Sequence, residues 1–320
     1  MKAFVTGGAG FIGSHLAAAL ASRGDQVTVI DNLASGSVKK IHPKVQFLQL
    51  DIRSREAREL IVRQQPDVVF HLAAQTDVQQ SLLNSGYDAD VNIGGTINLL
   101  EGCRVTGSKL VFASTSAVYG DLEKTQISEQ DPARPISCYG LSKWAAESYI
   151  QVYNKLYGVP YTVLRFSNVF GPGQTAKGEG GVVAVFLERL QTGRPVSIHG
   201  DGGQTRDFIY VGDIVSALLA AASRGDGQTL HASTAASVSV NELADLMGQI
   251  NGRELQRIYK PARTGDIRHS CLSNIKAQQA LLWKPEQPLK AGLEAAYRYT
   301  MKGQIRVWKE DEDEQGDDQG

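Results

Sequence analysis

Two short groups of residues in this chain have the types and spacing to do chemistry. Tyr139-x-x-x-Lys143 opens a stretch, Tyr139 to Tyr157, whose pattern predicts a helix. At that spacing both side chains leave one helix face, a turn apart. A free tyrosine titrates at about 10 and is a poor base at neutral pH. A nearby positive charge favours the phenolate and brings the group towards the working range. Ser114-Thr115-Ser116, after the apolar run Leu110 to Ala113, adds hydroxyls at a strand end. Each group alone is commonplace, since tyrosine and lysine decorate many helices and hydroxyls cap many turns.

A third stretch changes their meaning. Thr6-Gly7-Gly8-Ala9-Gly10-Phe11-Ile12-Gly13 follows a short apolar strand, Ala3 to Val5, and precedes an alanine-rich helix, His15 to Ser22. Glycines there allow a tight turn and let a pyrophosphate approach backbone amides at a helix N-terminus. Asp31 ends the second predicted strand, Gln26 to Ile30, where an acid suits the ribose hydroxyls of NAD and repels the 2′-phosphate of NADP. Lys39 and Lys40 are the cations that could reverse that preference. A dinucleotide would also bring a positive nicotinamide ring to Tyr139.

The elements that must position these groups alternate between strand and helix. Further strands are predicted at Val45 to Gln49, Asp67 to Phe70, Leu110 to Ala113 and Tyr161 to Phe166, with helices from Ser54 to Gln64 and from Asn92 to Cys103. Such alternation means right-handed crossovers and a Rossmann-like, doubly wound parallel sheet, the α/β class. Ligands sit beyond the carboxyl ends of such strands, where the glycine loop, Asp31, Asp51, Ala73-Ala74, Ser114 to Ser116 and Asn168 all fall. From Phe170 the rhythm breaks into glycine-rich loops. Helices are expected at Val182 to Gln191, Val211 to Ala222, after the capping box Ser239-x-x-Glu242, at Ser273 to Leu281 and at Leu289 to Thr300. We therefore expect residues 1–167 to bind the dinucleotide, with a segment at about 204–225 packing back onto them. A smaller mixed α/β substrate domain is expected over 168–309, and an acidic, disordered tail over 310–320.

Composition agrees with a globular enzyme and excludes several classes. Hydrophobic residues make up 42% and charged residues 21% of the 320. No apolar run approaches a bilayer span, and a strand beginning at residue 2 leaves no room for a secretory signal. Cys103, Cys138 and Cys271 form neither a disulfide framework nor a metal pattern, so the cytosol is the default and no metal is expected. Residues 1–309 carry 33 positive and 27 negative charges, a net +6 that suits an anionic small molecule and does not indicate nucleic acid.

Over residues 1 to about 305 the chain resembles the extended short-chain dehydrogenase/reductases that act on nucleotide sugars. Within them it is most similar to the UDP-glucose 4-epimerases and their UDP-N-acetylglucosamine-using relatives. The motifs are Thr6 to Gly13, Asp31-Asn32-Leu33, Asp51-Ile52, His71-Leu72-Ala73-Ala74, Ser114 to Gly120, Tyr139 to Lys143, Arg165 to Asn168, Gln204 to Phe208 and Arg263 to Ser270. The resemblance implies that Tyr139 takes the proton of the sugar 4-hydroxyl, Thr115 relays it, and Lys143 holds the nicotinamide ribose. It implies NAD contacts from Gly7, Gly10, Phe11, Ile12, Asp31, Asn32, Asp51, Ile52, Leu72, Ala73, Ala74 and Phe166, Asp51 taking the adenine amine. Substrate contacts are implied for Asn168, Val182, Ser197, His199, Arg206, Arg263, Asp266 and Ser270, the arginines on the diphosphate and Ser270 beside the sugar 2-substituent. The resemblance also implies a homodimer, for which the helices ending at Cys103 and beginning at Tyr139 are the candidate contacts.

Other readings compete. Dehydratase and decarboxylase relatives place an acid after the Ser-Thr pair, where this chain has Ser116 and Ala117. A uronate 4-epimerase or a ketosugar reductase passes that test. A dinucleotide sensor without catalysis would not require Thr115, Tyr139 and Lys143 together.

Overall fold

A computed structural model describes residues 1–122, 124–176, 181–262 and 267–302. Its centre is a parallel sheet of seven strands in the order Gln228–Ala232, Tyr161–Phe166, Lys109–Thr115, Val68–His71, Lys2–Thr6, Gln26–Asp31, Gln46–Gln49. The order reverses between Lys2–Thr6 and Val68–His71, the switch point where such sheets open a crevice. Register brings the chemistry-bearing ends level: Thr6 pairs with Ile30 and His71, and Thr115 with Phe166. Most strand interiors are buried on both faces, as parallel sheets require.

Helices Phe11–Ser22, Val211–Ala221 and Ile275–Leu281 cover one face, and Arg55–Gln64, Gly95–Thr106 and Cys138–Tyr157 the other. Helix Val211–Ala221 lies against Phe11–Ser22, so a segment from the second half of the chain completes the first layer. A separate apolar cluster, built on Phe186, Leu243, Met247 and Leu293, holds the smaller mixed unit. Among the described residues that unit contains only short strands: Asn168–Phe170 paired with Phe208–Tyr210, Thr205–Arg206 between Val238–Ser239 and His269–Ser270, and Val196–His199 paired with Arg257–Lys260.

Around the seven-stranded sheet the sequence reading and the structure differ chiefly in three places. The first helix begins at Phe11 and not at His15, because Phe11 and Ile12 turn inward beside the glycine loop. The helix expected from Asn92 starts earlier, as Ser85–Ala89, and reaches Gly95–Thr106 through one wide turn at Asp90–Gly94. The seventh strand, Gln228–Ala232, was not expected, because its only large apolar residue is Leu230. Its His231 is fully buried, the ring facing Tyr119 Oη at 2.6 Å and Ser273 O at 2.9 Å. Hydrogen bonds there take the place of an apolar side chain. The capping box at Ser239 and Glu242 is present, as is the Ser54 cap, whose hydroxyl accepts from Ala57 N. Among the described residues no helix is long and apolar enough to cross a membrane. The acidic tail lies outside the described residues.

Candidate active site

The glycine loop is held from three sides. Gly7 N donates to Ile30 O at 2.9 Å, and Gly10 N to Gly7 O at 3.1 Å. Gly7 has φ +71°, and a Cβ there would stand 2.7 Å from Ala73 N, so only glycine admits the neighbouring segment. That segment is itself fixed: Thr6 Oγ1 accepts from Ala73 N and meets His71 Nδ1 at 2.9 Å, while His71 Nε2 meets Thr96 Oγ1 at 3.0 Å. Burial first, then the charge of Lys143, holds the His71 pKa well below the ordinary histidine value. The following helix starts at Gly10 with no side-chain cap and no acid in its first turn, leaving its N–H groups to an incoming anion.

Beside this loop opens a cleft of about 1150 Å³, lined by Asp31, Asn32, Asp51, Ile52, Leu72, Ala73 and Ala74 together with Gly7 and Gly10. The Asp31 carboxylate accepts from Leu33 N at 2.7 Å and Ala9 N at 3.0 Å, so backbone amides fix its position. Each oxygen keeps a lone pair for a ribose hydroxyl. Lys40, a cation that could have drawn a 2′-phosphate, donates to Gly173 O at 3.1 Å. Asp51 is gripped by Arg53 through Nε at 2.9 Å and Nη2 at 2.8 Å, and by Asn32 Nδ2 at 3.0 Å. The hydrogen bonds from Arg53 hold its carboxyl far below the usual carboxylate range. The donors and the glycine cradle fit NAD.

A second cleft, of about 1070 Å³, shares Gly7, Gly10, Leu72 and Ala74 with the first and adds Phe11, Ile12, Thr115, Tyr139, Lys143, Phe166, Asn168 and Val182. Helix Cys138–Tyr157 is capped by Ser137, which accepts from Gly140 N, and Tyr139 N donates to Ser81 Oγ at 3.1 Å. Gly140 presses on the Thr115 turn: a Cβ would lie 2.5 Å from Ala117 O. That close approach brings Tyr139 to Thr115, whose Oγ1 accepts from Ala117 N and leaves its own proton free to give. Lys143 is buried, with Nζ 4.1 Å from the centroid of the Phe112 ring. Burial pushes its pKa down to about 7, against the opposing pull of Glu147 and Asp88. Ser114 faces away from this chemistry, its hydroxyl donating to Glu147. Among the described residues the lining of this cleft contains no carboxylate.

A third cleft continues through Asn168 and Val182 to Ser197, His199 and Arg206, with Gln204 and Lys260. Nearby, Asp201 accepts from Arg268 at 2.7 and 2.9 Å, and Asp207 from Ser167, Thr234 and Ala235. Arg206 Nη1 donates to Thr205 O at 2.9 Å. Ser270 is buried and stands in register beside Arg206 in the short sheet, outside the lining of these three clefts. Arg263 and Asp266 lie outside the described residues.

The pattern of the NAD dependent epimerase/dehydratase family matches residues 3–232. The chain belongs to that family. A putative UDP-glucose 4-epimerase of Methanocaldococcus jannaschii is 43% identical over 305 residues, covering 95% of this chain and 99% of the relative. The crystal structure of the UDP-glucose 4-epimerase of Thermotoga maritima with UDP-glucose superposes with a TM-score of 0.92 at 41% identity, covering 94% of this chain and 99% of that one. That of Thermus thermophilus, in complex with NAD, gives 0.89 at 38% identity, covering 95% and 100%.

Within this family site the sequence reading had missed Arg53, Gln204 and Lys260. Arg53 was legible, since an arginine two residues after an exposed-end acid is placed to grip it. Gln204, whose Nε2 donates to His199 O at 2.8 Å, lies in the loop just before Thr205–Arg206, and Lys260 ends a mostly exposed strand, Arg257–Lys260, that carries no apolar run.

Proposed function

We propose that the protein is an NAD-dependent 4-epimerase of UDP-hexoses, an isomerase working through a transient 4-keto sugar. The observation that carries this is the placement of Thr115, Tyr139 and Lys143 in one cleft that runs on, through Asn168 and Val182, to Arg206. Held by the glycine loop and Asp31, NAD would supply a reversible hydride acceptor for C4 of the sugar. Tyr139 accepts the 4-hydroxyl proton and later returns it, Thr115 relays it, and Lys143 holds the ribose and favours the phenolate. Asn168, Arg206 and Arg263 hold the diphosphate about which the keto sugar turns. Among the described residues the lining carries no carboxylate to assist elimination or decarboxylation. Residues 1–167 are the dinucleotide unit in this reading and 168–309 the substrate unit.

The N-acetylated pair belongs to the same proposal, resting on the small side chain of Ser270 beside Arg206. Incubation with UDP-glucose, UDP-N-acetylglucosamine and UDP-glucuronate, followed by chromatography, tests it. Conversion of the first two to their 4-epimers is expected. Conversion of the glucuronate alone would replace the reading with a uronate epimerase. Ser270→Tyr should abolish turnover of the acetylated pair by exclusion and spare the plain hexoses. Equal loss on both would remove Ser270 from the pocket.

We further propose a homodimer in the cytosol. Helix Cys138–Tyr157 presents Leu141, Trp144, Val152 and Leu156 to solvent, and Gly95–Thr106 adds Val105. Apolar residues gathered on neighbouring helices mark an interaction face. Light scattering at the mass of one chain would contradict this.

A further inference from the structure

Lys143 sits where an ammonium is hard to keep, and the chemistry needs it charged. It is 3% exposed and rests on an aromatic ring. Two carboxylates oppose the effect of its burial. Glu147, one turn along the same helix, is matched already: it accepts from Arg165 Nη2 at 2.6 Å and Nε at 3.0 Å, and from the Ser114 hydroxyl. The guanidinium against it cancels much of its field at Lys143.

Asp88 differs. It is 1% exposed, and its helix, Ser85–Ala89, packs against Cys138–Tyr157. Oδ1 accepts from Gln75 Nε2 at 2.9 Å and Asn92 Nδ2 at 3.3 Å, both neutral amides. Oδ2 is buried with no hydrogen-bond partner. A buried carboxylate oxygen in that condition is costly and needs a reason. The other charged or titratable groups on elements around Lys143 are held elsewhere. Tyr119 is bonded to Arg165 and His231, Asp90 pairs with Arg53, and Glu101 takes Arg104 and Tyr153. His71 is bonded to Thr6 and Thr96, and Tyr139 is the group Lys143 serves.

We propose that Asp88 is the buried counter-charge of Lys143, a positioning residue that keeps the lysine an ammonium beside Tyr139. The catalytic consequence rests on the epimerase reading, whereas the charge pairing stands independently of it. Asp88→Asn keeps the shape and the Oδ1 acceptor while removing the charge.

Two measurements test this. The first is a melting cycle without substrate. If the charges are partners, Asp88→Asn/Lys143→Met melts no lower than Asp88→Asn, because the unpaired ammonium has gone. Decrements in Tm that simply add would overturn the pairing. Should Asp88→Asn not fold, recovery of folding in the double variant supports the pairing, and an equally unfolded double variant refutes it. The second reads the pH profile of kcat/KM on UDP-glucose. In Asp88→Asn the alkaline limb should move to lower pH by about one unit, with Asp88→Glu keeping the parent limb. A loss of equal size at every pH, the mark of structural damage, would overturn the role. Inactivity of the parent protein on UDP-sugars would sink the epimerase reading and leave the melting cycle to decide the pairing.

Discussion

The two ends of the site are built by different means. At the dinucleotide end, the named side chains lie on the strands of one seven-stranded sheet, within three residues of their carboxyl ends, or at the start of helix Phe11–Ser22, and backbone amides hold Asp31. At the proposed sugar-nucleotide end, Arg206 sits on a strand of two residues, with Ser270 beside it on another, and Ser197 and His199 belong to a sheet of only two strands. Local opening free energy follows buried contacts and backbone pairing, so the first end is the stiffer. The difference matches the work of each. A cofactor regenerated at every turnover can stay in a rigid cradle, whereas a substrate must enter, turn and leave.

Substitutions can break that contrast at chosen points. The largest effect is expected at the junction. Tyr139→Phe removes the proton acceptor and leaves both ends intact, so turnover should fall at least about 100-fold. UDP binding by calorimetry and NAD content should stay close to the parent values; near-parental turnover would remove Tyr139 from its role. At the stiff end, Gly7→Ala forces a left-handed backbone on alanine and a Cβ against Ala73 N. NAD retained through gel filtration should drop roughly tenfold or more. Full retention would mean the cradle yields more easily than its geometry implies.

At the pliant end, Arg206→Ala removes a charge-assisted contact of about 1.5–3 kcal/mol, so KM for UDP-glucose should rise roughly tenfold or more. NAD content should not move. A change in NAD content with KM unaltered would assign Arg206 to the wrong end. The smallest effect concerns the far wall of the sheet. Burial pushes the His231 pKa down to about 3 from an ordinary 6.5. Unfolded chains bind that proton first, so this contribution to stability is complete above pH 6.5 and is lost as pH falls towards 3. Melting curves should decline on the order of 1 kcal/mol per pH unit across that window, and His231→Gln should flatten them. An unchanged slope would show that His231 is protonated in the folded protein.

The same contrast explains what could be read from residues alone. Long strands buried on both faces announce themselves as apolar runs, and the glycine loop, Asp31 and Tyr139-x-x-x-Lys143 are spaced by regular elements. Gln228–Ala232 escaped because His231 replaces packing with hydrogen bonds to Tyr119 and Ser273, both far from it in sequence. Thr205–Arg206 and His269–Ser270 escaped because two residues carry no period. Asp88 escaped for another reason. An acid in a short helix reads as a solvated cap, and only the packing of Cys138–Tyr157 over it shows that it is buried.

One seam joins the two ends. His15 Nε2 lies 2.9 Å from Pro172 O, and Lys40 Nζ donates to Gly173 O at 3.1 Å. The loop so held leads towards helix Val182–Gln191, which lines the substrate clefts. Both acceptors are main-chain carbonyls, present whatever side chain stands at those positions. The attachment is therefore written in His15 and Lys40 and in a backbone path that Gly173, at φ +82°, helps to set.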